Sequence, residues 1–479
     1  MNQALQQLYY LLPPPLRSVA TSLRGYHLRW WRYGSAMERL VEDVFKRENW
    51  TEEQWSAWRA DRMAYLLHRA ATRVPYYRSQ WESRRRQGDQ TSWERLENWP
   101  ILEKEQVRQA PKSFLADDRS PRKLWPLHTS GTTGTPLRLW QSRATLQSWY
   151  ALFEARWRRW HGVSIRDRWA ILGGQMVTPY KQKRPPFWVW NAAFNQLYMS
   201  AHHLAPDLIP HYLDALRKYR ITYLLGYTSA LHALAQEAIR LGRDDLQMKV
   251  VITEAEPIFF HQRSMIRQAF QCPVRETYGT SEKVAAAGEC EAGRLHLWPE
   301  AGFVETLDGD RPVGSGVPGE LVITGLLNDD MPLIRYRVGD IGILAPPRTT
   351  CSCGRSLPIL ESIEGRTDDL LYTPEGRCIG RLDPVFKADM PIREAQIVQE
   401  ALDCVRVLYV PAAGFTETHE KTIVEHVQAR MGKVQVVLEA VSQVPRTANG
   451  KFRAVICKIA PPARQKGNMS EALIEPESS

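Results

Sequence analysis

Two glycines set among hydroxyl residues open the chemical reading, in the run His128-Thr129-Ser130-Gly131-Thr132-Thr133-Gly134-Thr135-Pro136. Gly131 and Gly134 permit backbone conformations in which successive N–H groups turn inward, and Ser130, Thr132 and Thr133 add hydroxyl donors; together these suit a polyphosphate. The run lacks the glycine–lysine spacing of a Walker loop, so on composition a Ser/Thr/Gly surface turn stands beside the phosphate-binding reading. A second stretch, Glu276-Thr277-Tyr278-Gly279-Thr280-Ser281-Glu282, puts a planar ring beside a glycine, where it can stack on a base. Ser281 and Glu282 then offer a hydroxyl and a carboxylate to phosphate and Mg²⁺. Alone, this stretch would read rather as a polar strand end with a turn.

Cys290, His296, Cys351 and Cys353 form a third group. Three thiolates and one imidazole make a closed tetrahedral set suited to structural Zn²⁺, although the spacings are not the common Cys-x-x-Cys. Four ordinary reduced side chains are the alternative.

These residues need elements to hold them. Leu124 and Trp125 before the glycine-rich run, and Leu137 to Trp140 after it, predict a tight connection between two strands. The runs Trp169 to Gly174, Tyr223 to Tyr227 and Val250 to Thr253 predict buried strands, with two helical patterns between Ile209 and Leu241. That alternation indicates an α/β layer with parallel strands. Gly319 to Gly325 predicts a further strand, Met37 to Ala71 two helices, and Thr145 to Trp160 one helix. The last ends in Arg156-Trp157-Arg158-Arg159-Trp160, a pattern that could stack on nucleobases, but no RNA- or DNA-binding motif accompanies it, and inward packing of the tryptophans is expected.

The chain has 479 residues, 43% of them hydrophobic, enough for two or three domains. It has no run of about 18 uncharged apolar residues and no basic, apolar and small-residue leader pattern. Seven cysteines are few and odd in number, which argues against a disulfide framework. The expected location is cytoplasmic. A net charge of +10 suits anionic partners, for which a nucleotide substrate is sufficient. Residues 1 to about 35 combine prolines, aromatics and arginines and could also associate peripherally with a membrane surface.

Taken in order, these motifs resemble the acyl-adenylate-forming superfamily, in its phenylacetate–CoA ligase and CapK-like branch. The resemblance covers about two-thirds of the chain, from residue 128 to residue 453. It implies the adenylate-forming α/β fold: an N-terminal AMP-binding domain over 1–365, with a helical segment 1–81, and a small mobile α+β domain over 366–479 whose last residues, about 462–479, are disordered. Thr129 to Gly134 would bind the phosphates of ATP, with Thr132 catalytic. Glu254-Ala255-Glu256 and Tyr278 to Ser281 would line the adenine and phosphates, with Glu282 on Mg²⁺. Asp340 would accept the ribose hydroxyls, Arg366 would reach ribose or phosphate, Asp368 would be the hinge, and Lys451, in Pro445 to Arg453, would contact carboxylate and α-phosphate. Some members of this branch carry zinc on similarly placed Cys/His ligands.

The implied activity is ATP-dependent activation of a small carboxylic acid to an acyl-adenylate, followed by transfer to coenzyme A. Two departures matter. A lysine is usual where this chain has Thr135, and Tyr372 to Arg377 replaces a glycine-rich continuation, leaving the thiol-binding surface unmatched. Transfer to an amine or hydroxyl, or adenylylation of a non-carboxylate acceptor as in F390-synthetase-like relatives, is therefore the alternative. A nucleic-acid-binding protein using the Arg/Trp run is a second.

Overall fold

A computed structural model describes all residues but 1–2, 129–136, 176, 180–181, 183, 206, 367–370, 374–377, 380–389, 447–451 and 460–479. The chain divides into two compact units, the first made of Met1–Glu305, Val322–Val338 and Pro346–Leu360, the second of Thr306–Leu321, Gly339–Ala345 and Glu361–Ser479.

The first unit begins with helices α1 (Gln3–Leu11), α2 (Pro14–Arg32), α3 (Met37–Arg47), α4 (Glu52–Arg73), α5 (Pro75–Arg86) and the short α6 (Lys104–Gln109). Strands β1 (Trp125–His128) and β2 (Arg138–Gln141) then pair antiparallel, His128 opposite Arg138, as the glycine-rich run between them required. After α7 (Arg143–Phe153) come β3 (Trp169–Gly173), β4 (Trp188–Asn191) and β5 (Gln196–Ser200). Next are α8 (Ile209–Lys218), β6 (Tyr223–Tyr227), α9 (Thr228–Arg240), β7 (Val250–Glu254), α10 (Phe260–Phe270) and β8 (Val274–Gly279). β5, β3, β6, β7 and β8 lie side by side and parallel. The continuous apolar runs of β3, β6 and β7 are explained by this order, since parallel strands are covered on both faces. Leu224, Val251, Leu231, Leu234, Ile266 and Phe270 form the buried layer between β6, β7, α9 and α10. At Gly226 a Cβ would lie 2.6 Å from the Leu172 carbonyl, so only glycine permits that strand spacing. β9 (Ala286–Glu289) and β10 (Leu295–Leu297) turn the sheet antiparallel beyond β8.

In the remaining strands, β11 (Gly302–Asp308) and β12 (Arg311–Pro312) form a hairpin, followed by β13 (Gly319–Gly325), β14 (Tyr336–Leu344) and β15 (Ile359–Arg366). The second unit ends with the hairpin β16 (Leu371–Tyr372) and β17 (Cys378–Ile379), and with β18 (Ile392–Ala401), β19 (Cys404–Pro411), α11 (Glu417–Met431), β20 (Gln435–Ala440) and β21 (Val455–Cys457). The last four strands form one sheet in the order β20-β19-β18-β21. Ile397, Val405, Val407, Ile423 and Val427 make its core against α11. The expected tail 462–479 lies outside the described residues.

One expected element differs. The helix foreseen to Trp160 stops at Phe153, and Glu154–Arg158 form a wider π turn before a 3₁₀ turn at Arg159–His161. Three successive side chains, Arg156, Trp157 and Arg158, are all buried there, which one face of a regular helix cannot achieve. Arg156 pairs with Glu300 at 2.8 Å and Glu48 at 3.3 Å, and Arg158 pairs with Glu154 at 3.1 Å. The Arg/Trp run is thus an interior ion-pair layer, which overturns its reading as a nucleic-acid surface.

Burial raises the Glu300 carboxyl pKa, and the Arg156 and Arg47 charges more than offset this, holding it below its ordinary value. Its contribution to stability is therefore present above the usual carboxylate range and is lost as pH falls through the depressed value. Glu300→Ala removes two of the three carboxylate contacts of the buried Arg156 and should cost roughly 3–5 kcal/mol in urea unfolding, whereas Arg159→Ala, on a partly exposed pair, should cost under about 1 kcal/mol.

Candidate active site and metal centre

Glu282 sits just beyond the end of β8, where the chain makes a tight turn: Lys283 N–H donates to the Thr280 carbonyl at 3.0 Å and Thr280 N–H to the Ala285 carbonyl at 3.1 Å. Lys283 takes φ 60°, a left-handed conformation that costs a non-glycine residue energy and persists only where its surroundings impose it. Here they do. Glu282 is buried, and its Oε1 accepts from the Tyr336 hydroxyl at 3.0 Å and lies 3.3 Å from Lys104 Nζ.

Both partners arrive through one backbone crossing. Leu102 N–H donates to the Arg335 carbonyl at 2.9 Å and Arg337 N–H to the Leu102 carbonyl at 3.0 Å, which brings Lys104 at the start of α6 beside Tyr336. Tyr77, near the start of α5, fixes this strand. Its buried hydroxyl donates to the Pro332 carbonyl at 3.2 Å and accepts from Ile334 N–H at 3.1 Å. Arg335, at φ 45°, is locked by two bonds to Glu305 and one to the Trp99 carbonyl.

Tyr278 closes β8 opposite Ala287. Beneath it lies Trp157, whose ring would meet a Cβ at Gly279 at 3.4 Å and at Gly288 at 3.0 Å, while its indole N–H donates to the Ala287 carbonyl at 2.9 Å. The buried Arg/Trp run is the floor of the Tyr278 to Glu282 segment.

Ala255 follows β7 in a left-handed conformation, φ 63°. Glu256 spends its carboxylate on the start of α9, accepting from Ser229 N–H at 2.7 Å and Ser229 Oγ at 3.1 Å, as suits an anion at a helix N-terminus. Asp340 lies on β14, in the part belonging to the second unit. Thr129 to Gly134, Asp368 and Lys451 fall outside the described residues, as does the side chain of Arg366.

Sequence reasoning missed Lys104, Tyr336, Gln141 and Lys283. Lys283 Nζ donates to the Oε1 of fully buried Gln141 at 2.7 Å. Burial, followed by the Arg32 charge, lowers its pKa to about 7. Polar groups continue along the carboxyl ends of the parallel strands. Tyr227 and Glu254 are paired neighbours on β6 and β7, and the Tyr198 hydroxyl covers Gly173, where a Cβ would lie 2.7 Å away. Burial first and the Glu254 charge second push the Tyr227 hydroxyl up to about 12.

The four sulfur and imidazole residues do converge. Their ligand atoms all lie within 4.8 Å of one another, with Cys290 Sγ 3.7 Å from Cys351 Sγ and Cys353 Sγ 3.3 Å from His296 Nε2. Tetrahedral Zn²⁺ with its usual bond lengths needs edges of about 3.8 Å between sulfurs and about 3.6 Å between sulfur and nitrogen. His296 Nδ1 is occupied by the Leu357 carbonyl at 3.1 Å, which fixes the tautomer that leaves Nε2 as a ligand atom. His296 is placed by β10, between Gly288 of β9 and Ile359 of β15, and Gly354 at φ 81° lets Cys351 and Cys353 sit on one tight turn. The donor set and its spacing fit zinc.

Residues 371–458 match the model of the CapK C-terminal domain. Protein CapK of Staphylococcus aureus is 25% identical over 370 residues, 75% of this chain and 80% of that protein. The chain is thus similar in sequence to CapK and to phenylacetate–CoA ligases. The phenylacetate-coenzyme A ligase of Aromatoleum evansii is 26% identical over 345 residues, 69% of this chain and 74% of that enzyme. The solved structure of 2-hydroxyisobutyryl-CoA ligase in the postadenylation state, in complex with R3-HIB-AMP, has the same fold: TM-score 0.67 and 20% identity, over 86% of this chain and 91% of that one. The expected fold class is therefore borne out.

Protein purified without added metal should carry about one zinc per chain by elemental analysis, and Cys351→Ser should lose it and melt at a lower temperature. Absence of metal, with Cys351→Ser as stable as the parent, would contradict the assignment.

Proposed function

We propose that the protein is an AMP-forming ligase. It activates a small carboxylic acid with ATP as an acyl-adenylate, releases pyrophosphate, and passes the acyl group to a thiol, coenzyme A. One observation carries this reading: an adenylate-forming fold whose Glu282 is buried beside β8 and held by Tyr336 and Lys104. Both of those contacts fall on Oε1, leaving Oε2 for Mg²⁺, which when bound would neutralise phosphate charge.

Thr129 to Gly134 would cradle the phosphates at the tip of β1 and β2, with Thr132 reaching them. Tyr278 would stack on adenine beside Glu254, Ala255 and Glu256, and Asp340 and Arg366 would hold the ribose. Lys451 would meet the carboxylate oxygen as it attacks the α-phosphorus, on a small domain from residue 366 that turns about Asp368. Zinc on Cys290, His296, Cys351 and Cys353 would be structural, since a closed set leaves no position for substrate. The acid is polar in this reading, because Tyr198, Tyr227, Glu254 and Lys283 gather at the strand ends, where open α/β sheets bind ligands.

The match of the C-terminal region to CapK favours a second reading of the transfer step alone, in which an amine or hydroxyl replaces the thiol. The N-terminal segment adds peripheral association with a membrane.

Lys451→Ala should slow acid-dependent pyrophosphate release by roughly 10²–10³-fold, as loss of one preorganised charge at a developing anion does. Acyl transfer from synthetic acyl-adenylate should persist. Equal slowing of both steps would refute the rotating-domain assignment, and AMP release that depends on an amine but not on coenzyme A would select the second reading.

A further inference from the structure

Helix α2 is mounted the wrong way round for a helix on a protein body. Surface helices ordinarily turn an apolar stripe inward and a polar face to water. In α2 the small and polar side faces the protein: Ser18 Oγ accepts from Trp190 N–H at 3.1 Å and Ser22 Oγ from Ala192 N–H at 3.0 Å. Gly25 comes so close to Asn191 that a Cβ would lie 2.2 Å from its Oδ1. Arg17 is buried, donating to the Leu12 and Tyr10 carbonyls and to Gln182.

The opposite side carries Leu16, Val19, Leu23, Tyr26 and Trp30, at intervals of three and four residues, each at least half exposed. Successive steps of that size keep all five on one face. Helix α1 adds Leu5, Leu8 and Leu11, and its Tyr9 hydroxyl ties it to the body through the Val177 carbonyl at 2.9 Å. Eight of the twelve exposed large hydrophobics among the described residues lie in these two helices. A stripe of this size is more than a monomer leaves in water without cause.

Charge decides what covers it. The first 37 residues contain no Asp or Glu, and their cations are Arg17, Arg24, Arg29 and Arg32. Arg24 is exposed on α2, Arg29 reaches from the same helix to the Ala193 carbonyl at 2.8 Å, and Arg143 lies over the Trp30 ring at 4.0 Å. Two copies apposed on this face would set arginine against arginine. An anionic bilayer surface supplies both complements: acyl chains for the stripe, and phosphate headgroups for the rim, with Tyr26 and Trp30 suited to the boundary.

We propose that the outward face of α1 and α2 docks the protein flat on an anionic phospholipid bilayer. No described helix is long and apolar enough to cross it. The site's chemistry is then performed at the membrane surface, so its acceptor can be one that the lipid phase holds.

The test is sedimentation of the full chain with vesicles of phosphatidylcholine alone and of phosphatidylcholine mixed with phosphatidylglycerol, without nucleotide. The parent should pellet with the mixed vesicles, roughly tenfold more weakly with the neutral ones. Val19→Asp/Leu23→Asp and, separately, Leu8→Asp should each weaken that binding roughly tenfold or more while keeping the parent's melting temperature. Failure of the parent to pellet with the mixed vesicles, or pelleting of both variants like the parent, would overturn the proposal. So would a dimer in gel filtration that Val19→Asp/Leu23→Asp abolishes, because a second copy would then be what covers the stripe. None of these readouts depends on ligase activity, so the docking proposal and the proposed reaction fail separately.

Discussion

The buried charge on Arg156 is the constraint from which much of the first unit follows. A guanidinium with no access to water must be paired, and Glu300 and Glu48 supply the pairs. Glu48 also accepts from the Trp160 indole at 2.9 Å and pairs with Arg355 at 3.3 Å, so one carboxylate ties the end of α3 to the turn after Cys353. Trp160 meets the His296 ring edge-on at 6.1 Å. Trp157, next to Arg156, is the floor of Gly279 and Gly288. The candidate nucleotide segment and the Cys/His cluster thus both rest on one five-residue run.

Much of this was legible because it is local. Alternating and continuous apolar runs marked β3, β6, β7 and β13, and the glycine-rich run marked the turn between β1 and β2. Tyr278 to Glu282 was recognisable because its residue types are contiguous, and the cysteine and histidine set because few other residue types bind metal. What was not legible lies in long-range pairing. Nothing near Lys104 or Tyr336 announces a partner at Glu282, since their meeting depends on a backbone crossing at Leu102 between distant segments. The Arg/Trp run packs inward as expected, but its partners could not be read locally. Its spacing shows alternating charge and rings, but burial decides whether such a run reads nucleic acid or holds a core, and its counter-charges at Glu48 and Glu300 are more than a hundred residues away.

The left-handed residues Ala255, Lys283 and Arg335 deserve a common explanation. Each is a non-glycine at the end of a strand or just before one, and each adjoins a residue assigned to the candidate site: Glu256, Glu282 and Tyr336. Such conformations redirect the chain beside the adjoining side chain, at a cost that the surrounding bonds must offset. The candidate site is therefore held in shape by its backbone.

Adenylation is the central claim, and it can be isolated from the choice of acceptor. In ATP–pyrophosphate exchange, labelled pyrophosphate enters ATP only if an acyl-adenylate forms reversibly, with no thiol or amine present. Measured across hydroxylated, dicarboxylic, aryl and fatty acids, the account predicts exchange that depends on added acid and is strongest with the polar ones. Exchange that is absent with every acid, from protein shown to bind ATP, would contradict it.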